Sequence, residues 1–414
     1  MTAKPSARRS GAKSPPSPSR SYGGQRPSSG RAKPSQPQTR RPKTHVPTSP
    51  PAPPATPQSL LTLYRPDISQ MLDATGSPPY RRAQILEHLV RRPLQPFSQA
   101  TALPADVREA LEPLGVTTLE LAGTRTAPDG TNKLLLRGRD GATIETVIMR
   151  YRDRVTVCIS SQVGCPVGCA FCATGGMGLR RNLTAAEMTD QVRTAVVVAA
   201  EDGRRVSNLV YMGMGEPLLN LQAVLDSIRV LTDPHGLGLS HRAVSVSTIG
   251  VPGGMIRLGH AEPQVNLALS LHATDDATRA LLVPSRFRHP ISELLEAAWE
   301  HFSITHRKLL IEYVLLRGVN DSLDDARRLA ALLRGHVVTV NLLEWNPVSQ
   351  RALPGGESFP ASFRPSLMAS VVAFRETLLA SHVEAVVRRS KGAGIQAACG
   401  QLAGRAAEWT DGKT

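Results

Sequence analysis

Four of the five cysteines in this 414-residue chain fall within fifteen positions, Cys158 to Cys172, in the stretch "CISSQVGCPVGCAFC". Three of them, Cys165, Cys169 and Cys172, have the spacing C-x3-C-x2-C, and Gly164, Pro166 and Gly168 let the backbone wrap tightly between them. Thiolates grouped this closely can converge on one metal centre, which sets them apart from incidental loop thiols. A structural zinc site usually takes four ligands, often as two separate pairs, and no fourth ligand stands here at a matching spacing. An iron–sulfur cluster held by three protein thiolates would leave one iron open to a substrate or cofactor.

Other residues are weaker signals taken singly. "GMGEP" (213–217) ends an apolar run, and Glu216 offers an acceptor for an ammonium group, yet a glycine-rich strand end is usually only a turn. His272 alone reads as a structural histidine. Cys158 and Cys399 alone read as small buried hydrophobes, the commonest fate of a lone cysteine. Strand alternation alone makes Glu145 a solvent-facing residue.

The elements that must position these residues are legible in outline. From about residue 60 to 115 the chain reads as short helices, "DISQMLDAT", "YRRAQILEHLVRR" and "ADVREALEPLG", separated by Pro and Gly. Residues 117–160 alternate β-rich runs with "RDG" and "YRDR" turns, which predicts an antiparallel meander. From about 160 the pattern is strand, loop, helix, repeated. The strand runs are "NLVYMG", "AVSVST", "VNLALSLH", "LLIEYVLL", "VVTVNLLEW" and "VEAVVRRS". Helical segments lie between them, one opening on Thr184 and Glu187 in a capping-box pattern. Such alternation predicts a parallel sheet covered by helices, and about six units fit an incomplete (β/α)6 barrel of the α/β class. In such barrels function collects where strands end and loops begin, and there the motifs fall.

The cysteine spacing with Phe171 inside it resembles that of radical S-adenosylmethionine (SAM) enzymes. The segments "CISSQVGCPVGCAFCATGGMGLRRNLT", "YMGMGEPLLN", "VSVSTIG", "LALSLHA", "GVNDS", "LLEWNP" and "AACGQLAG" follow in order. Together they resemble the Cfr/RlmN family of radical SAM 23S rRNA (adenine) methyltransferases over roughly residues 60–405. The resemblance implies a (β/α)6 radical SAM barrel and a 4Fe-4S cluster on Cys165, Cys169 and Cys172. It implies SAM contacts at Gly215, Glu216, Ser247, Ser270, Leu271, His272 and Asn346. It implies that Cys399 accepts a methyl group from a first SAM, and that this methyl, activated by a second, adds to an adenine ring carbon. It further implies that Cys158 releases the tethered RNA, leaving a Cys158–Cys399 disulfide to be reduced, and that Glu145 is the base that takes a proton from the adduct. Ordinary nucleophilic transfer cannot do this chemistry, because an amidine carbon is itself electrophilic.

The implied partners are 23S rRNA, with tRNA as a second substrate, an external electron donor and a thiol reductant. The motifs are mixed between the carbon-2 and carbon-8 branches of the family, and carbon 2 is the expectation because that branch is commoner. One departure concerns the C-terminal loop, where the family usually has an acidic residue and Gly394 precedes Ile395 here. A non-catalytic iron–sulfur RNA-binding protein would need neither Cys158 nor Cys399. A small-molecule radical enzyme would need neither the "ACGQL" loop nor a basic arm.

That arm holds eleven of the chain's Lys and Arg and no acid over residues 1–58, so most of the net charge of +15 sits there and +4 remains for the rest. With 14 of the 33 prolines and few large apolar side chains, it is expected to be disordered and to attract polyanions. The expected organisation is this arm, a helical accessory domain (59–116) able to contact RNA, the catalytic domain (117–405) with its leading meander (117–160) and cysteine loop (391–403), and a tail (406–414). No apolar run approaches a transmembrane span, no secretory signal is present, and five cysteines do not make a disulfide scaffold. A cytoplasmic monomer without membrane attachment is expected.

Overall fold

The structure, a computed structural model, describes residues 56–348, 363–404 and 409. The basic arm lies outside the described residues except for its last three positions, and the tail except for Trp409. Four antiparallel strands, β1 (Leu119–Thr126), β2 (Asn132–Gly138), β3 (Thr143–Arg150) and β4 (Val155–Cys158), form the meander. A short hairpin, β5 (Gln162–Gly164) with β6 (Leu179–Asn182), closes the base of the cysteine loop. Then come β7 (Asn208–Tyr211), β8 (Val244–Thr248), β9 (Asn266–Ser270), β10 (Leu309–Leu315), β11 (Val338–Glu344) and β12 (Glu384–Arg388), each parallel to its neighbour.

The meander is not separate from the barrel. One sheet runs β1-β2-β3-β4-β7-β8-β9-β10-β11-β12, and β4 is at once the last antiparallel strand and the first parallel one, paired with β7. The sequence hid this because β4 has four residues and follows a turn. Its second partner lies some fifty positions on, beyond any local pattern. Sheet order follows chain order, so every crossover steps the same way and the sheet curls instead of reversing at a switch point. With β1 and β12 each paired on one side only, the barrel stays open.

Helices α1 (Pro57–Tyr64), α2 (Pro66–Ala74), α3 (Tyr80–Arg91) and α4 (Ala105–Leu111) form the N-terminal bundle. The barrel helices are α5 (Ala185–Ala200), α6 (Leu221–Thr232), α7 (Pro252–Ala261), α8 (Asp276–Leu282), α9 (Ile291–Thr305), α10 (Leu323–Leu333) and α11 (Met368–Ala380). The start of α5 is fixed by reciprocal capping: Glu187 N donates to Thr184 Oγ1 at 3.1 Å, and Thr184 N to Glu187 Oε2 at 2.9 Å. Nearly all of α5 is buried, because the sheet covers one side and the bundle the other.

The bundle is fastened to α5 by a buried polar knot. Asp190 Oδ1 accepts from Tyr64 Oη at 2.5 Å and from Arg193 Nη1 at 2.6 Å, and its Oδ2 accepts from Thr118 N and Oγ1, each at 2.7 Å. Burial alone would raise the Asp190 pKa. The Arg193 guanidinium and the hydrogen bonds from Thr118 and Tyr64 outweigh it and hold the carboxyl below its ordinary range. Asp190→Ala will strand the Arg193 charge in the core and lower unfolding free energy by about 3–5 kcal/mol. Denaturant titration checks this, and a loss below about 1 kcal/mol, the worth of a surface pair, contradicts it.

Candidate active site

The cysteine loop is shaped at its neck by glycine. Gly164 has φ +77, and a Cβ there would lie 1.9 Å from Gly178 O, so the two arms of the β5–β6 hairpin meet only without a side chain. Cys165, Cys169 and Cys172 line one cavity of about 170 Å³. An apolar cluster backs the loop, including Val167, Ile249, Leu282 and Val314. Three thiols lining one cavity suit a multinuclear cluster, in which each sulfur takes its own iron. Burial pushes the Cys165 thiol up to about 12 and Cys169 well above its ordinary value; bound iron supplies the positive charge that reverses such a shift. The buried Arg279 guanidinium also favours the Cys169 thiolate. The donor set therefore fits an iron–sulfur cluster.

Glu216 stands on the same cavity wall after β7. Its Oε1 accepts from Leu218 N at 3.0 Å and its Oε2 from Ile249 N at 2.9 Å. Burial raises its pKa to about 7, with those hydrogen bonds opposing the shift, so a cationic partner would hold it ionised. Gly215 has φ +103, and a Cβ there would lie 2.6 Å from Gln162 Cβ, so only glycine turns the chain at this point. Ser247 and Ser270 line the cavity with Oγ atoms 3.1 Å apart. His272, at φ +59, lines it too. Its Nδ1 accepts from Val314 N at 3.1 Å, and burial, with Arg279 nearby, lowers its pKa to about 3. The ring is therefore neutral and presents Nε2–H. Leu271 is different: its side chain is fully buried in the main core, because strand alternation turns it away from the face that Ser270 occupies.

A second cavity of about 270 Å³ adjoins the first across Cys172, Met212, Cys399 and Gly400. Cys158 lines it from β4, and Arg154, Arg242, Arg388, Arg389 and Lys391 line it from other segments. Asn346 also lines this cavity and not the one that holds the three cysteines. All five cysteines are free thiols. Cys399 is reached by solvent through the cavity yet packed around by protein. Burial and the negative charge of Glu312 raise its pKa, with Arg388 opposing.

The Cys399 loop is docked on the cysteine loop through its backbone. Ala173 N donates to Gly400 O at 2.7 Å, and Thr174 Oγ1 to Leu402 O at 2.6 Å. Glu145 completes the anchorage. It is 2% exposed, not solvent-facing as alternation suggested, because β3 is an inner strand covered on both faces. Its Oε1 pairs with Lys133 Nζ at 3.0 Å and its Oε2 accepts from Ala403 N at 2.8 Å, and it lines neither cavity. Lys133 Nζ also donates to Gln396 O at 3.3 Å. A Cβ at Gly394 would meet open space, so sterics do not explain glycine at that position.

Sequence reasoning missed Glu312, Asn341, Arg388 and Lys133. The usable signal for Glu312 and Lys133 was a single charge inside an apolar strand run, "LLIEYVLL" and "NKLLL".

Residues 159–330 match the Radical SAM superfamily. The chain is 44% identical over 325 residues to a Thermus thermophilus protein named "Probable dual-specificity RNA methyltransferase RlmN", covering 78% of this chain and 89% of that one. It is 41% identical over 358 residues to the protein of the same name from Heliobacterium modesticaldum, covering 84% and 90%. The crystal structure of a radical SAM methyltransferase from Sphaerobacter thermophilus superposes with a TM-score of 0.76 at 43% identity, over 81% of this chain and 96% of that one. No helix among the described residues is long and apolar enough to cross a membrane.

Proposed function

The chain belongs to the RlmN family of radical SAM RNA methyltransferases, and from that premise we propose that it methylates carbon 2 of an adenine in 23S rRNA through a methyl group carried on Cys399. It is an enzyme whose cofactors are a 4Fe-4S cluster and SAM. The "dual-specificity" in its relatives' names supports a second RNA class, for which tRNA is the candidate. The observation that carries this reading is the wall shared by the two cavities: Cys399 borders both the one lined by three thiols and Glu216 and the one lined by Cys158 and a ring of cations.

Cys165, Cys169 and Cys172 would hold the cluster, which when bound supplies the electron that cleaves SAM to a deoxyadenosyl radical. Gly215 and Glu216 hold the SAM amino acid end, Glu216 accepting from its ammonium. Ser247, Ser270 and His272 face the rest of the molecule, and Leu271 contributes through its backbone. Asn346, whose Nδ2 donates to the main chain of Glu344 on the wall shared by both cavities, is the remaining SAM contact. Cys399 takes a methyl group from one SAM, releasing S-adenosylhomocysteine; the deoxyadenosyl radical takes a hydrogen atom from that methyl, the methylene radical bonds to the adenine carbon and tethers the RNA, and the adduct's unpaired electron would return to the oxidised cluster. Glu145 takes the proton from that carbon, which requires its bond to Ala403 N to open as the loop shifts. Cys158 then attacks the Cys399 sulfur. An S–S bond forms, the S–CH2 bond breaks, and its electron pair leaves with the methylene carbon, which is protonated. A thiol reductant supplies the two electrons that reset the disulfide, and an external donor would prime the cluster with its first electron. The N-terminal bundle and the basic arm contact RNA phosphates. The enzyme acts as a monomer, in the cytoplasm where its RNA is.

The test is anaerobic turnover of unmodified 23S rRNA by reconstituted protein with SAM and a reductant, followed by digestion and mass spectrometry. 2-Methyladenosine is expected. 8-Methyladenosine would move the enzyme to the other branch, and deoxyadenosine release without either product would refute the RNA substrate.

Glu145→Gln removes the base and keeps an acceptor for Ala403 N but loses the Lys133 ion pair, so its melting temperature is read beside its activity. If Glu145 is the base, Cys399 is methylated normally while RNA product falls about 10²–10⁴-fold and the tethered adduct accumulates. Equal loss of Cys399 methylation, read by intact-protein mass spectrometry, would make Glu145 an anchor alone.

A further inference from the structure

A row of polar side chains crosses the inner face of β8 to β11, and half of it belongs to no motif. Ser247 Oγ lies 3.1 Å from Ser270 Oγ. Ser270 on β9 is in register with Glu312 on β10, and Glu312 with Asn341 on β11. Partners in register on parallel strands point to the same face of a sheet. Asn341 Nδ2 donates to Glu312 Oε1 at 2.7 Å, and Arg388 Nε donates to Asn341 Oδ1 at 3.0 Å.

Glu312 is 5% exposed and lines the cavity of the three thiols. Among the described residues only its Oε1 receives a hydrogen bond. The other oxygen is open to the cavity, and an occupant that displaces water from it must supply a donor in turn, because a carboxylate left without one is costly.

The occupant's orientation follows from charge. Its ammonium end is claimed by Glu216, beside Cys165 and Cys169. Glu312 is three strands away, at most about 14 Å along the sheet. The nucleoside end therefore extends toward β9, β10 and β11. A carboxylate next to two serine hydroxyls suits vicinal hydroxyls, which donate to the first and both donate to and accept from the second. We propose that Glu312, oriented by Asn341 and Arg388, binds SAM by accepting hydrogen bonds from its ribose hydroxyls. This rests on the reading of the cavity as the SAM site.

The test uses S-adenosylhomocysteine, which binds without reacting, and its 2′,3′-dideoxy analogue. Both are titrated calorimetrically into the anaerobically reconstituted full-length protein. Hydrogen bonds to a charged group predict that the wild type prefers the hydroxylated ligand by about 10- to 100-fold. Glu312→Gln should weaken S-adenosylhomocysteine by a similar factor and leave the dideoxy analogue nearly unchanged. Equal wild-type affinity for the two ligands overturns the proposal, and that comparison needs no variant to fold. A Glu312→Gln protein that melts like the wild type and retains full preference also overturns it. Failure of the wild type to bind either ligand overturns the cavity reading, and the proposal with it.

Discussion

Cys158→Ala will stop the reaction with RNA covalently attached to Cys399. Denaturing gels should show a slower protein band that is sensitive to ribonuclease. Free methylated RNA should fall by about 10²-fold or more, since residues that act as a unit fail together. The expectation follows from where the thiols lie. Cys165, Cys169 and Cys172 share one cavity, and Cys158 and Cys399 share the next. Cys172 borders both but would be committed to iron. No thiol other than Cys158 is left to attack the Cys399 sulfur. Cys158 is 8% exposed and sits at the C-terminal end of β4, where burial raises its pKa and the Cys399 thiol adds to the shift. It is thus a weak nucleophile at rest, and the Cys158 thiol must lose its proton as the adduct forms. Peptide mapping should find the RNA fragment on Cys399, and the Cys158→Ala/Cys399→Ala protein should show no shifted band. A Cys158→Ala enzyme that turns over normally, or one that cleaves SAM at the wild-type rate without forming an adduct, would remove Cys158 from the mechanism.

The adduct forms on a loop whose place could not be read locally. The cysteine spacing, the strand runs and the capping box at Thr184 all depend on residues within a turn or two of one another, and each is visible in the sequence. The docking of the Cys399 loop on the cysteine loop joins positions more than two hundred residues apart, as in Ala173 N to Gly400 O. On the Cys399 loop's side it is made largely by backbone groups, which leave no mark in side-chain pattern. The sharing of β4 between meander and barrel failed for the same reason, since a strand of four residues does not announce two partners. Glu145 was misjudged because alternation assumes one solvated face, whereas β3 lies between β2 and β4 with the Cys399 loop over it. Ser247 and Ser270 were found by motif, but the row they begin was completed by Glu312 and Asn341 through strand register alone.

Backbone docking has a consequence for the second large effect. Cys399→Ala should abolish RNA methylation while leaving the loop where it is. Ala173 N, Thr174 Oγ1 and Lys133 Nζ donate to main-chain carbonyls of residues 396–402, Ala403 N donates to Glu145 Oε2, and Gln401 Nε2 donates to Pro347 O. The Cys399 side chain holds none of them. The Cys399→Ala protein should therefore melt like the wild type and, after reconstitution, carry the same iron and sulfide. With SAM alone the wild type gains one methyl group on Cys399 and the variant gains none. With SAM and RNA the variant gives neither product nor adduct, a loss of about 10³-fold or more, because no second thiol borders both cavities without being claimed by iron. Loss of iron would mean that the side chain supports the cysteine loop and that the functional loss is structural. Residual methylation above about 1% of wild type, far more than loss of an essential nucleophile leaves, would mean that the methyl group reaches adenine without passing through Cys399.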